Sequence, residues 1–425
     1  MSLDLDLGAL PARSRRNSFR PGPRAPRWSA RTGLLVLAAA AAAILGPASS
    51  RRAEAQAASA APAPELQRIR FWSSPEHTRL VFDLSGPPRI APRFRLVDST
   101  TFEAYLPGAR KSPAVTTEFV GDSLVADIFT AVSDSGTAIR VGLKKAVTPL
   151  GFVLAAGDGV PDRVVVDVPI PVNPGAEQAL ERRVTELKES KKFIVAIDPG
   201  HGGEDPGAIG YHRLQEADIT LSIGKKLKSQ LDDIPGVGAV LTRDGDYFVP
   251  LRKRIDIARR FQADLFVSIH CNASRDRDAT GTEVYFLSLT GATDESARSL
   301  AEKENAADLV GGVPPETGDD LLSILFDLRQ NDTVRRSSEV AEMLIDAVAA
   351  DTRLVTRGVK QAGFVVLKAP EIPSILVETA FITNPREAAI LRDAQFQNKF
   401  AEHLAQGIIG YKSMRDHASA GSGSN

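Results

Sequence analysis

The chain is expected to fold as a small all-β sandwich followed by a three-layer α/β domain with a mostly parallel sheet. Residues 67 to 170 hold short β-type runs broken by turn residues, whereas from Phe193 onward continuous apolar runs alternate with helical stretches. A proline-rich, charged stretch separates the two regimes. At 425 residues the chain has room for two to three domains, and 43% hydrophobic with 25% charged residues is an ordinary globular composition. The 52 basic and 53 acidic residues leave a net charge of −1, which gives no electrostatic reason to expect a nucleic-acid partner. One cysteine, Cys271, excludes an intrachain disulfide but does not decide the compartment.

The N-terminus speaks more clearly about compartment. Arginines from Arg13 to Arg31 precede the apolar run Leu34 to Leu45, which is shorter than the ~20 residues of a spanning helix. Ala53-Glu54-Ala55 then offers a small-x-small cleavage site. Residues 1 to 55 therefore read as a secretory signal leading to the periplasm, leaving no membrane span after cleavage; an uncleaved anchor is the alternative. Arg15-Arg16 with Phe19 leaves both the general secretory and the twin-arginine routes open. Residues 56 to 66 form an Ala/Pro-rich, flexible lead-in.

In the first domain, strands are expected at Arg68 to Trp72, Thr78 to Leu84, Phe102 to Tyr105, Leu124 to Phe129, Ala138 to Leu143 and Arg163 to Val168. Leu80, Phe82 and Leu84 alternate with polar residues, and Gly-Pro and Asp-Gly pairs punctuate the runs. No cluster of His, Cys and carboxylates occurs there, so binding is expected rather than chemistry. Residues 171 to 192 are a charged linker with Leu180, Val184 and Leu187 at helical spacing.

Phe193 to Ile197 is continuously apolar and stopped by Pro199-Gly200, the pattern of a strand buried on both faces. Similar runs lie at Ala239 to Leu241, Leu265 to Ile269 and Ile375 to Val377, with a further strand at Thr282 to Phe286. Helices fall between them, one marked by Ile219, Ile223, Leu227 and Leu231 at i+4 and stopped by Pro235-Gly236, others at Arg254 to Phe261 and Ser337 to Ala350. In such sheets, reactive groups belong at the carboxyl ends of strands. Those ends carry His201, His270 and Glu378, and Glu216 opens the helix after the first strand, close enough to fold back to the same rim. Two imidazoles and a carboxylate are the ligand set of a catalytic zinc with its fourth position open, and a second carboxylate supplies the general base. His77, His212, His403 and His417 lack such context, although His212 is close to the rim. A buried Glu378 would be costly without a role beside a metal, the other reading being an ion pair with Arg243.

These residues also carry a family resemblance. Ile197 to Ala208, reading Ile-Asp-Pro-Gly-His-Gly-Gly-Glu-Asp-Pro-Gly-Ala, resembles the opening motif of the zinc-dependent N-acetylmuramoyl-L-alanine amidases of the Amidase-3 class. Glu216-Ala217-Asp218, Leu241-Thr242-Arg243, Ala263 to Asn272 and Val377 to Pro385 match in the same order, so the likeness covers 193 to about 412. It implies that His201, Glu216 and His270 bind zinc, that Glu378 is the catalytic carboxylate, and that Arg243 and Asn272 bind substrate or support the site. Cys271 stands where a small residue is usual; it reads as packing, since a fourth soft ligand would close the site. Thr78 to Leu84 and its neighbours resemble the AMIN domain of exported cell-wall amidases. The implied substrate is peptidoglycan, cut at the amide between the lactyl group of N-acetylmuramic acid and L-alanine. A zinc peptidase or deacetylase acting elsewhere in peptidoglycan, and a non-catalytic cell-wall-binding protein, are the competing readings.

Residues 293 to 328 exceed a minimal domain of this kind. A helix is expected over Thr293 to Val310, capped by Gly311-Gly312, and a second over Asp319 to Leu328. In that second helix Leu321, Leu322, Ile324, Leu325, Phe326 and Leu328 are too many for one buried stripe and suggest a partner surface. Ser296 to Gly312 resembles the inserted regulatory helix of periplasmic division amidases, which implies an autoinhibitory glutamate, Glu304 or Glu302, displaced by a LytM-type activator. A solvated Glu/Lys face is the plainer alternative. Residues 413 to 425 are expected to be a disordered tail.

Overall fold

The computed structural model describes residues 62–157, 159–171, 173–313, 327–350 and 354–422. The export signal, most of the lead-in and the apolar set from Leu321 to Phe326 lie outside them. Among the described residues no helix is long and apolar enough to cross a membrane.

Ten strands precede the first described helix: β1 Glu65–Ser73, β2 His77–Leu84, β3 Arg93–Asp98, β4 Thr101–Pro107, β5 Arg110–Lys111, β6 Glu118–Phe119, β7 Val125–Ser133, β8 Gly136–Leu143, β9 Leu150–Leu154 and β10 Arg163–Pro169. They make two five-stranded sheets, ordered β5-β1-β2-β10-β9 and β3-β4-β8-β7-β6. The alternation in β2 places Leu80, Phe82 and Leu84 inward, where they share a core with Phe102 and Ala104 of β4 and Ile139 and Val141 of β8.

The region expected as a linker contains a helix, α1 Pro174–Ser190, capped by the Asn173 side chain on Gly175 N. Its Leu180, Val184 and Leu187 pack against the core of the following domain. That domain comprises β11 Phe193–Pro199, α2 Glu216–Asp232, β12 Val237–Leu241, α3 Leu251–Arg260, β13 Leu265–Asn272, β14 Thr282–Leu287, α4 Glu295–Asn305, α5 Ala307–Val310, α6 Asp327–Ala349, β15 Thr356–Ala362, β16 Ser374–Phe381, α7 Pro385–Leu391 and α8 Ala394–Ser422. The sheet order is β12-β11-β13-β16-β14-β15. All pairings are parallel except β14 with β16. Odd-numbered Phe193, Val195 and Ile197 face α2, α6 and α8, while Ile194 and Ala196 face α3 and α4, which makes three layers.

From β11 the chain crosses to β12 on one side and then returns to β13 on the other, so the carboxyl ends of β11 and β13 flank a switch point, where a crevice is expected. The tail departs from expectation: α8 continues to Ser422 rather than ending in disorder after 412. Arg415 accounts for this, since it stacks on Phe193 at 4.7 Å and donates to Asp264 at 2.9 Å, fastening the added turns to the domain.

Candidate active site

The loop after β11 is shaped by two buried arginines. Arg254 donates to the Pro199 and His201 carbonyls at 2.9 and 3.0 Å and pairs with Asp198 at 2.9 Å. Arg243 donates to the carbonyls of Pro199 at 3.0 Å and of Gly200 and Ala217 at 2.8 Å. Together they hold His201 at a φ of 61°, a left-handed conformation that aims its ring into the crevice. Gly200 is needed for the neighbouring ring, since a Cβ there would lie 2.4 Å from His270. Arg243, 1% exposed, therefore supports the loop; its guanidinium is taken up by carbonyls, and no ion pair joins it to Glu378.

Four donor groups converge at the switch point. His201, Glu216, His270 and Glu304 are all buried and offer one ligand atom each, all within 4.8 Å of one another. Glu216 Oε1 lies 3.0 Å from His201 Nε2 and 3.1 Å from His270 Nδ1, and Glu304 Oε2 lies 3.2 Å from each of the same nitrogens. Donors that share one ion at about 2.1 Å lie within roughly 4.2 Å of each other, and these four His-to-Glu spacings are well inside that limit. His201 Nε2 and Glu304 Oε2 make no hydrogen bond within the protein, as expected of atoms aimed at a common centre rather than at each other.

Each donor is held from behind. Asp205 Oδ2 lies 2.7 Å from His201 Nδ1 and turns Nε2 inward. The backbone N–H groups of Ala208 and Cys271 donate to Glu216 at 2.8 and 2.9 Å, and Glu216 is the first residue of α2, where the helix dipole favours a carboxylate. Cys271 contributes that N–H; its thiol is pushed well up by burial and lies outside the donor group. Burial pulls the two imidazoles down, but facing carboxylates outweigh it, raising His201 well above its usual value and His270 to about 9. The same excess of negative charge suits a divalent cation.

Of the two candidate glutamates in the insertion, Glu304 enters the donor group and Glu302 is exposed. Asn305 anchors this end of α4, donating to the Gly363 carbonyl at 3.0 Å and accepting from Val365 N at 2.7 Å. Lys303 Nζ donates to Glu304 Oε1 at 2.8 Å. Glu378 is in register with His270 across β13 and β16, 1% exposed, and neither carboxylate oxygen has a hydrogen-bond partner. Its carboxyl is raised well above the usual range by burial, with Glu216 and Glu304 adding to the effect. Asn272, 7% exposed, donates to Glu283 at 3.0 Å and so braces the site. His212 is exposed and stands apart from the donor group.

Sequence reasoning missed Asp205, Arg254 and Lys303. Asp205 carried a signal, being a carboxylate four residues beyond a candidate ligand in the same motif. Arg254 carried none, because it is one of several arginines in α3 and only burial sets it apart.

Comparison with known proteins identifies the family of the chain that carries this geometry. Residues 195–410 match the Amidase_3 family, described as N-acetylmuramoyl-L-alanine amidase. The chain is 33% identical over 382 residues to the N-acetylmuramoyl-L-alanine amidase AmiC of Escherichia coli, covering 82% of this chain and 89% of that protein. It is 31% identical over 385 residues to AmiC of Neisseria meningitidis, with 82% and 90% coverage. AmiA of Escherichia coli matches at 44% over 225 residues, 53% of this chain and 78% of that protein. Among solved structures, AmiC2 of Nostoc punctiforme shares 33% identity over 53% of this chain and 99% of its own, with a TM-score of 0.38. The family match runs from the middle of β11 through all the other strands of the α/β sheet and includes His201, Glu216, His270 and Glu378, and on that basis the chain belongs to the N-acetylmuramoyl-L-alanine amidase family.

Proposed function

We propose that this amidase hydrolyses peptidoglycan at the bond between N-acetylmuramic acid and L-alanine, with zinc held by His201, Glu216 and His270 and with Glu378 as general base. The carrying observation is the convergence of four buried donor atoms, all within 4.8 Å of one another, beside a buried carboxylate without a hydrogen-bond partner. Zinc in such a site polarises a carbonyl and lowers the pKa of water to about 7. Glu378, made basic by its surroundings, takes the proton of the attacking water and returns it to the departing amine of L-alanine. Asp205 keeps His201 in the tautomer that presents Nε2.

Glu304 holds the position that water needs, so the described state is the resting one, and the α4 segment must withdraw before substrate enters. The resemblance to division amidases supports displacement by a LytM-type activator during septal cell-wall splitting. The two-sheet domain is the AMIN-like module that targets the enzyme to peptidoglycan or a division-site partner, and the N-terminal arginine and Ala/Leu pattern supports export to the periplasm.

The test uses the mature chain on intact sacculi, with zinc removed and restored and the released peptides analysed at their amino ends. Zinc-dependent release of free L-alanine amino termini, lost in Glu378→Gln and raised in Glu304→Ala, is the expected result. Cleavage at another bond removes the substrate assignment, and metal binding without cleavage by either form favours a cell-wall-binding protein.

A further inference from the structure

The end of the inserted helix is gripped from outside the α/β domain. Arg163 of β10 donates from Nη2 to the carbonyls of Leu309 at 2.7 Å and Val310 at 3.2 Å. Arg79 of β2 donates from Nη1 to the carbonyls of Gly311 and, at 3.2 Å, Gly312. These four consecutive carbonyls span the close of α5, from its last two residues to the two glycines after it, where a helix leaves acceptors without intrahelical partners and attracts cations.

The same guanidinium groups reach a second target. Arg163 Nε lies 2.8 Å from Glu204 Oε1, and Arg70 of β1 and Arg79 each lie 3.8 Å from a Glu204 oxygen. Glu204 is three residues beyond His201 and 4% exposed, and Arg163 is 2% exposed. Asp83 and Asp167 orient Arg70 and Arg79, each at 2.7 Å, so two of the three guanidinium groups are pre-set by their own sheet. Gly312, at a φ of 70°, lets the chain pass between the two partners: a Cβ there would stand 2.9 Å from both Arg79 Nη1 and Glu204 Oε2. One buried cluster thus joins three pieces of chain: the two-sheet domain, the loop that carries His201, and the segment that follows Glu304.

A plain domain interface would need no such convergence on the end of a movable helix. We infer that the two-sheet domain is the outer half of the lock on the active site. Arg70, Arg79 and Arg163 fasten the end of the inserted helix and Glu204 in one closed arrangement, and undocking of that domain frees Glu304 from the donor group. A partial separation would leave Glu204 covered but without its counter-charges, whereas full undocking hydrates it, so the docked and undocked arrangements are discrete alternatives. Any ligand that binds the two-sheet domain better when it is undocked shifts the equilibrium toward the open site. This inference rests on the reading of Glu304 as the occluding group.

The experiment compares the mature full chain with Arg79→Ala, Arg163→Gln and the double variant, in wild-type and Glu304→Ala backgrounds. Basal hydrolysis of sacculi is measured together with amide hydrogen exchange over residues 295 to 313. The double variant is expected to raise basal hydrolysis at least about fivefold and to speed exchange in that segment while β10 and β13 keep their protection. In the Glu304→Ala background the rise should disappear. Unchanged exchange over 295 to 313, or an equal rise in both backgrounds, overturns the lock. If Glu304→Ala alone leaves basal hydrolysis unchanged, occlusion itself fails, whereas the exchange data still report whether the arginines hold the helix. Should the double variant lose protection in β10, Arg79→Ala alone decides by the same two readings, since its guanidinium lies at the edge of the cluster.

Discussion

Glu378 and Glu283 face each other in register across β16 and β14, and each is 1% exposed. Their surroundings are opposite. Glu283 accepts from Arg357 at 2.7 Å, Lys360 at 2.9 Å, Tyr285 at 2.6 Å and Asn272 at 3.0 Å. Burial pushes its carboxyl up, but these donors outweigh that and hold it below the usual range. Glu378 has no hydrogen-bond partner, and burial drives its carboxyl well upward. The strand geometry and depth are the same for both, so burial alone does not mark a functional carboxylate. The missing compensation does, because a fold keeps an uncompensated group only where something other than stability selects it.

The largest effect that sharpens this contrast is catalytic. Glu378→Gln should lower kcat on sacculi about 10²–10⁴-fold while stabilising the metal-free protein by ~1–3 kcal/mol in urea denaturation. A destabilised Glu378→Gln would mean that the carboxylate has structural partners after all. Glu283→Gln should do the reverse. It removes the buried charge partner of Lys360, which keeps Asp294 at 3.2 Å, and of Arg357, which is 41% exposed and can rehydrate; a loss of roughly 1–2 kcal/mol follows. Its kcat per folded molecule should change far less than that of Glu378→Gln.

Asp205 extends the comparison to a carboxylate whose partner is an imidazole. Asp205→Asn keeps the shape but weakens the orientation of His201, and zinc affinity measured by competition with a chelator should fall about 10–100-fold. An unchanged affinity would show that the loop arginines suffice to aim the ring.

The smallest effect is in pH. Glu283 has a lowered folded pKa, so its stabilisation is present above the unfolded value of about 4.3 and is lost as pH falls through the folded value. Glu378 has a raised folded pKa, so its penalty is absent in acid and grows as pH rises above that same unfolded value toward the folded one. In metal-free urea titrations between pH 4 and pH 8 the advantage of Glu378→Gln over wild type should therefore widen with pH. The deficit of Glu283→Gln should narrow toward the acid end. Parallel curves for the two variants would erase the distinction.

Much of this was visible in the residue order. Continuous apolar runs identified β11, β13 and β16, and the polar residues at their ends identified His201, His270 and Glu378, because a strand buried on both faces leaves only its end for chemistry. Strands β3, β5, β6, β9 and β15 escaped notice. They lie at sheet edges, half or fully exposed, and carry polar residues that blur the pattern. The helix that continues past residue 412 was hidden for a related reason: its anchor is Arg415 on Phe193, a contact between distant positions.

Local order therefore settled the element types, the strand-end histidines and the family, since periodicity and short motifs are properties of neighbouring residues. Packing alone distinguished Glu304 from Glu302, uncompensated Glu378 from compensated Glu283, and the buried Arg254 from the other arginines of α3. Packing also brought Arg79 to Gly311, 232 residues away along the chain. Charge partners separated by such spans leave no periodic trace, because their pairing depends on how whole layers stack and not on any residue beside them.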